Sequence, residues 1–186
     1  KLVANSSNVG FARAVNQGLA LAECEYTALV NPDTEIDPAT VRILVDTLRR
    51  QPELGLVGPR LIHEDGKDQR SMAHYPTVAG LARRLLRRGP TPRTGWLLGA
   101  FVVARTELLR QLGGLDEGYF VYGEDMDLSH RVQRAGLQVR ATDEIHITHT
   151  GNPRWTPDRL VRIYGAYLRF LQRHDPPQRP LLGGLV

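Results

Sequence analysis

Apolar residues recur along this chain in two periods, about 3.6 and 2, and the alternation between them lays out its elements. Residues 1–4 read as a short strand, and 5–10, rich in Asn and Ser and closed by Gly10, as a turn. Phe11, Val15 and Leu19 stand four apart and predict a helix over 11–22, in which Gly18 is expected to serve packing or close contact. Tyr26-Thr27-Ala28-Leu29-Val30 predicts a buried strand, which Pro32 ends because it has no N–H for a ladder. Asp37 and Pro38 then mark the N-cap and first position of a helix striped by Val41, Leu44, Val45 and Leu48. Two short strands are expected at 54–57 and 61–63, with a hairpin turn at 64–67. A basic amphipathic helix is expected over 80–88, ended by the Gly and Pro residues of 89–92. Residues 96–103 form one apolar run with small residues at its centre, Gly99 and Ala100, that would admit a close approach to the backbone. Thr106 is expected to cap a short helix containing Leu108, Leu109 and Leu112 and ended by Gly113-Gly114. Leu128, Val132 and Ala135 give a further helix beginning near Gly123, with Gly136 suited to its left-handed end. Strands follow at 137–140 and 144–149. A final helix starts at Thr156-Pro157-Asp158, carries Leu160, Ile163, Tyr167, Phe170 and Leu171, and is stopped by Pro176-Pro177. Early alternation of strands and helices, with extended segments later, predicts an α/β architecture around a mixed sheet.

Composition narrows the class without changing that picture. The 186 residues suffice for one domain, and 41% hydrophobic with 24% charged residues is ordinary for a globular protein. A single cysteine, Cys24, excludes an intrachain disulfide and a cysteine-based zinc cluster. The longest apolar run, 96–104, is far too short to span a bilayer. The expectation is a cytoplasmic chain. The net charge of +4 is carried mostly by arginine, and Arg83, Arg84, Arg87 and Arg88 interleave with leucines. That stripe is either a solvated helix face or a peripheral contact with anionic lipid at the inner face of a membrane. A nucleic-acid partner is not expected, because the basic residues lack the interleaved aromatics of a base-stacking platform.

Candidate chemistry gathers at three separated points. Glu124, Asp125 and Asp127 crowd the opening turn of a helix, where the positive end of the dipole favours ionised carboxylates. Such a turn either stabilises its helix or supplies a general base on a rigid element. Glu124 and Asp127, three apart, share a face that Asp125 does not. Asp33 follows a buried strand, at the kind of carboxyl end where open α/β sheets bind ligands, though a turn-forming Asp is the plainer reading. His146 and His149 are three apart on a strand and face opposite sides, so they should not chelate one ion together. His149, just before the loop at 150–152, is the one expected to aim at a site.

Several stretches then share an order and spacing: Asn8-Val9-Gly10-Phe11-Ala12 with Asn16-Gln17-Gly18, Asn31-Pro32-Asp33-Thr34-Glu35, Trp96-Leu97-Leu98-Gly99-Ala100, Gly113-Gly114-Leu115-Asp116-Glu117, Tyr122-Gly123-Glu124-Asp125-Met126-Asp127-Leu128, and 146–151. Together they resemble glycosyltransferase family 2, with the GT-A fold, and especially its rhamnosyltransferase-like branch. The resemblance covers nearly the whole chain. It implies a Rossmann-like mixed sheet with flanking helices, and inverting transfer of a sugar, rhamnose as the expected one, from a dTDP- or UDP-linked donor to a glycan or lipid-linked acceptor. By the same resemblance Asp125 matches the catalytic base, with Glu124 beside it. Asp33 matches the last acid of the metal motif, in which Asn31 replaces the first, and His149 matches a histidine that ligates the metal. The implied cofactor is a divalent cation, Mn2+ or Mg2+, and an imidazole ligand tilts the choice towards manganese. Asn8, Gly10, Asn16, Asn31, Gly99 and Ala100 fall in donor-side segments, and Trp96 and Asp127 are expected to touch the acceptor. Family members begin with a further strand-helix-strand portion that supplies most of the nucleobase pocket. This sequence is expected to start after it, as a partial catalytic domain over 1–175 with a tail at 176–186 that lacks the first strands. The competing expectation is a non-catalytic nucleotide-sugar or glycan-binding module.

Overall fold

A computed structural model describes residues 2–76, 95–150 and 156–174. The arginine-rich helix expected over 80–88, the loop at 151–152 and the Pro176-Pro177 stop lie outside the described residues. The elements run in the order α1 (Phe11–Ala20), β1 (Tyr26–Val30), α2 (Pro38–Arg50), β2 (Leu54–Ile62), β3 (Met72–Ala73), β4 (Trp96–Leu97), β5 (Phe101–Arg105), α3 (Thr106–Gln111), α4 (Glu124–Arg134), β6 (Gln138–Thr148) and α5 (Pro157–His174). Four strands form a mixed sheet in the order β1-β5-β2-β6, in which β5 is antiparallel to both β1 and β2 while β2 and β6 run parallel. Strands β3 and β4 pair separately.

The sheet divides the core into two layers. Leu56, Val102, Ala104 and Val139 face α1, α3 and α4, meeting Ala12, Leu109, Leu128 and Val132. Val57, Phe101, Val103 and Ile147 face the other way, onto Leu44 and Leu48 of α2. Asp37 caps α2 as expected, its carboxylate accepting the N–H groups of Ala39 and Thr40. At the other end Arg105 donates to the carbonyls of Leu48 (2.6 Å) and Leu54 (2.8 Å), tying α2 to the start of β2. Gly113, Gly114 and Gly136 close their helices with positive φ, as their positions predict. No described helix is long and apolar enough to cross a membrane.

Several expectations are corrected. Residues 2–4 are exposed and form no strand. Helix α1 stops at Ala20 in i→i+3 turns, and the space beside Gly18 is open, so no packing need explains it. The strands expected at 54–57 and 61–63 are one strand, and so are those at 137–140 and 144–149. Each pair is joined across an irregularity where Pro59 offers no N–H to the ladder and the register jumps from Pro59↔Thr142 to Arg60↔His146. The apolar run at 96–103 is instead broken into β4 and β5 by a turn at 98–100. Thr106 does not cap α3: it is the first helical residue, and its hydroxyl meets that of Thr27 at 2.8 Å.

This core predicts a contrast that urea unfolding can measure. Leu44→Ala empties a fully buried position between α2 and the sheet and should cost roughly 3 kcal/mol. Val161→Ala, at a position 72% exposed on α5, should change stability by less than about 0.5 kcal/mol.

Candidate active site

The acidic turn is built on strained backbone. Tyr122 and Gly123 adopt φ of 70° and 92°, two left-handed residues in succession, and the chain then enters α4 at Glu124. Gly123 is required there, since a Cβ would stand 2.8 Å from the Ala166 Cβ of α5. Asp125, half-buried at the second position of α4, is held by two main-chain donors. Its Oδ1 accepts the N–H of Met126 (2.8 Å) and its Oδ2 accepts the N–H of Gly99 (2.9 Å). A Cβ on Gly99 would lie 3.0 Å from the Asp125 Cβ and 3.3 Å from Oδ2, so a larger residue there would press on the carboxylate.

The same turn reaches the end of β1. The Ala100 carbonyl accepts the N–H of Asn31 (2.9 Å) and the hydroxyl of Thr34 (3.2 Å), on either side of Asp33. Thr34 forms a β-bridge with His149, and Thr150 donates both its N–H and its hydroxyl to the Asp33 carbonyl. Asp33 and His149, 116 positions apart in sequence, are thereby brought to 3.4 Å between Oδ1 and Nε2. His149 Nε2 is buried and makes no hydrogen bond, while its Nδ1 is 2.8 Å from Gln69 Oε1. His146 is exposed on the opposite side of β6. Among the described residues no group of three or more His, Cys, Asp and Glu side chains converges on one point. Asp33 and His149 are a two-donor set, an oxygen and an imidazole nitrogen aimed at each other, which fits a cation whose remaining ligands come from a bound diphosphate and water.

Electrostatics correct the expectation that the helix dipole keeps the acids ionised. Glu124 is buried, its Oε2 without a hydrogen-bond partner, and it and Asp125 border a small void lined by Phe11, Leu29, Leu97, Val102, Leu115 and Leu128. Burial, reinforced by the neighbouring Asp125 charge, pushes the Glu124 carboxyl up to about 8. Burial also raises Asp125, against the opposing pull of the Gly99 and Met126 N–H groups. Desolvation outweighs the dipole at this turn.

Other residues singled out in the sequence are occupied within the fold. Asn8 accepts the N–H of Gly10 (3.0 Å), and Gly10, at φ 86°, lets the chain pass against Phe120, where Phe11 N–H meets the Phe120 carbonyl at 2.8 Å. Asn16 spends both ends of its amide on Leu115, accepting its N–H (2.8 Å) and donating to its carbonyl (2.9 Å). Trp96 packs by Met126, Tyr167 and Phe170 and donates to the His74 carbonyl. Asp127, expected at the acceptor, is fully buried. Its carboxylate meets Arg131 Nε (2.7 Å) and His174 Nε2 (2.7 Å), so it ties α4 to α5 and offers no free oxygen to a sugar. Gln69, Thr34 and Thr150 escaped the sequence reading, because nothing in local spacing marks a residue whose partner lies 80 positions away.

A mixed sheet with helices packed on both faces fits the GT-A, Rossmann-like class. A mannosyltransferase from Pyrobaculum calidifontis, solved with GDP-Man and Mn2+, superposes with a TM-score of 0.64 at 19% identity, over 98% of this chain and 50% of its own. Glucosyl-3-phosphoglycerate synthase from Mycobacterium tuberculosis, solved with Mn2+, UDP-Glc and phosphoglyceric acid, gives 0.56 at 19% identity over 88% and 55%. Residues 1–113 match the Glycosyl transferase family 2 profile. The N-acetylglucosaminyl-diphospho-decaprenol L-rhamnosyltransferase of M. tuberculosis is 30% identical over 208 residues, covering 94% of this chain and 68% of that protein. The chain belongs to glycosyl transferase family 2. It spans about half the length of these two solved proteins.

Two outcomes follow from the geometry. Gly99→Ala should crowd the Asp125 side chain and lower stability in urea unfolding by roughly 1 kcal/mol while the far-ultraviolet circular dichroism stays unchanged. Glu124 releases its proton near pH 4.5 when unfolded but only near 8 when folded, so across that window the native state holds the extra proton and stability falls as pH rises. Glu124→Gln should remove a slope of at most about 1.4 kcal/mol per pH unit from the urea-unfolding profile between those limits.

Proposed function

We propose that residues 1–175 form a catalytic unit of an inverting glycosyltransferase, which moves a sugar from a nucleoside-diphosphate donor to a hydroxyl of a glycan or lipid-linked acceptor. The observation that carries this reading is the 98–100 turn, which fastens Asp125 on one side and the Asp33 corner on the other. An inverting displacement needs a base and a leaving-group site held in fixed relation, and this turn supplies that relation through main-chain atoms. Asp125 is the base: it takes the proton of the acceptor hydroxyl as that oxygen attacks the anomeric carbon. Burial raises its pKa above the usual carboxylate value. The Gly99 and Met126 N–H groups fix the carboxylate's orientation and limit how far burial can neutralise it.

Asp33 and His149 would hold a divalent cation, Mn2+ or Mg2+. Bound there, such an ion supplies charge neutralisation for a departing diphosphate. Asn31 sets the path of the turn through its N–H to Ala100, and the glycine at 99 keeps the floor of the site open. The similarity to an L-rhamnosyltransferase acting on a diphospho-decaprenol supports a deoxyhexose donor and a lipid-linked acceptor.

Calorimetric titration with a panel of nucleotide-sugars, with and without Mn2+, tests this reading. Donor binding should need Mn2+ and fall at least 10-fold in Asp33→Ala. Asp125→Asn should retain donor binding and lose 10²–10⁴-fold in transfer rate. Metal-independent binding with an unchanged rate in Asp125→Asn would overturn it.

A further inference from the structure

Gln69 lies just past the hairpin turn that follows β2, held by its own N–H on the Leu61 carbonyl at 2.9 Å. Its side-chain amide faces three groups. Nε2 lies 3.4 Å from the His149 main-chain carbonyl and 3.3 Å from His63 Nδ1, and Oε1 lies 2.8 Å from His149 Nδ1. A carbonyl oxygen can only accept, so the amide nitrogen faces it and Oε1 is left facing the imidazole. Oε1 also only accepts, so His149 Nδ1 must carry the ring proton. In the neutral imidazole Nε2 is then a bare lone pair. That atom is buried, without a hydrogen bond, and 3.4 Å from Asp33 Oδ1.

We infer that Gln69 is a positioning residue for the Asp33–His149 cation site, acting by locking His149 in its Nδ1–H tautomer; the inference rests on the metal reading of that pair. The alternative tautomer would place a proton on Nε2, let it donate to Asp33 and close the two donors on each other. Gln69 keeps both electron pairs available. Metal-bound histidines use the same device, in which the second ring nitrogen donates to an oxygen that fixes tautomer and ring plane. Here the oxygen is a neutral amide, itself oriented by the carbonyl of the histidine it serves.

Two-bond 1H–15N spectra of the metal-free wild-type protein, recorded where imidazoles are neutral, read the tautomer directly, with the His149 resonance assigned by its loss in His149→Gln. Wild type should show Nδ1–H. Gln69→Leu should shift His149 towards Nε2–H and weaken Mn2+ binding, followed by the free-ion electron paramagnetic resonance signal, about 10-fold. Gln69→Glu keeps an acceptor for the imidazole and should keep the Nδ1–H tautomer. An Nε2–H wild-type spectrum overturns the inference. So does unchanged Mn2+ affinity in Gln69→Leu when Asp33→Ala abolishes binding. Mn2+ binding that survives both Asp33→Ala and His149→Ala would instead remove the metal reading itself. Should the leucine variant fail to fold, the wild-type and Gln69→Glu spectra still decide, since an Nε2–H signal in either overturns the inference.

Discussion

Everything chemical in this structure hangs on the turn at 98–100. Its amide at Gly99 fixes the Asp125 carboxylate, and its carbonyl at Ala100 collects the Asn31 N–H and the Thr34 hydroxyl. Main-chain groups hold positions better than long side chains because they lose no rotamer freedom when they bind. The turn is itself anchored, since β4 pairs with β3 on one side of it and β5 enters the centre of the sheet on the other. A carboxylate on a helix and an acid at a strand end are therefore tied to one turn.

Around that turn two opposing electrostatic terms meet. The first turn of α4 offers a favourable field to anions, yet Glu124 sits where no water and no donor reaches one of its oxygens. The dipole is worth about 0.3–1 kcal/mol at a surface, whereas desolvating a carboxylate costs several, so burial decides the protonation. Asp125 is raised by burial as well, but its carboxylate accepts two main-chain N–H groups. Burial thus raises both adjacent carboxyls, and at Asp125 the Gly99 and Met126 N–H groups oppose it.

The far end of the chain braces the same helix. Helix α5 sets His174 on Asp127, and Arg169 and Arg173 on Asp116, while Ala166 lies against the glycine that opens α4. Asp127 is fully buried, and removing one partner from such a cluster leaves an uncompensated charge, which is costly. Within the acid-rich turn Asp125 is thus held by main-chain N–H groups, while Asp127 ties the helix to α5.

Much of this was legible in the chain. The helix of Pro38–Arg50 with its Asp37 cap, the strand Tyr26–Val30, the glycine helix ends and the acidic start of Glu124–Arg134 follow from local stereochemistry and periodicity. Those signals span a few residues and survive in any context. The fusion of strands across Pro59, the break at Gly99 and the absence of an N-terminal strand did not follow, because pairing partners and not propensity decide where a strand begins or ends. The candidate site shows the same division. The residue types at Asp33, Asp125 and His149 could be read from order and spacing. That Asp33 and His149 meet, that Gly99 seats Asp125, that Asp127 is consumed by His174 and that Gln69 backs His149 were set only by folding. Each of those contacts joins residues too far apart in sequence for any local pattern to encode, and a hydrogen bond is specified by the position of both its ends.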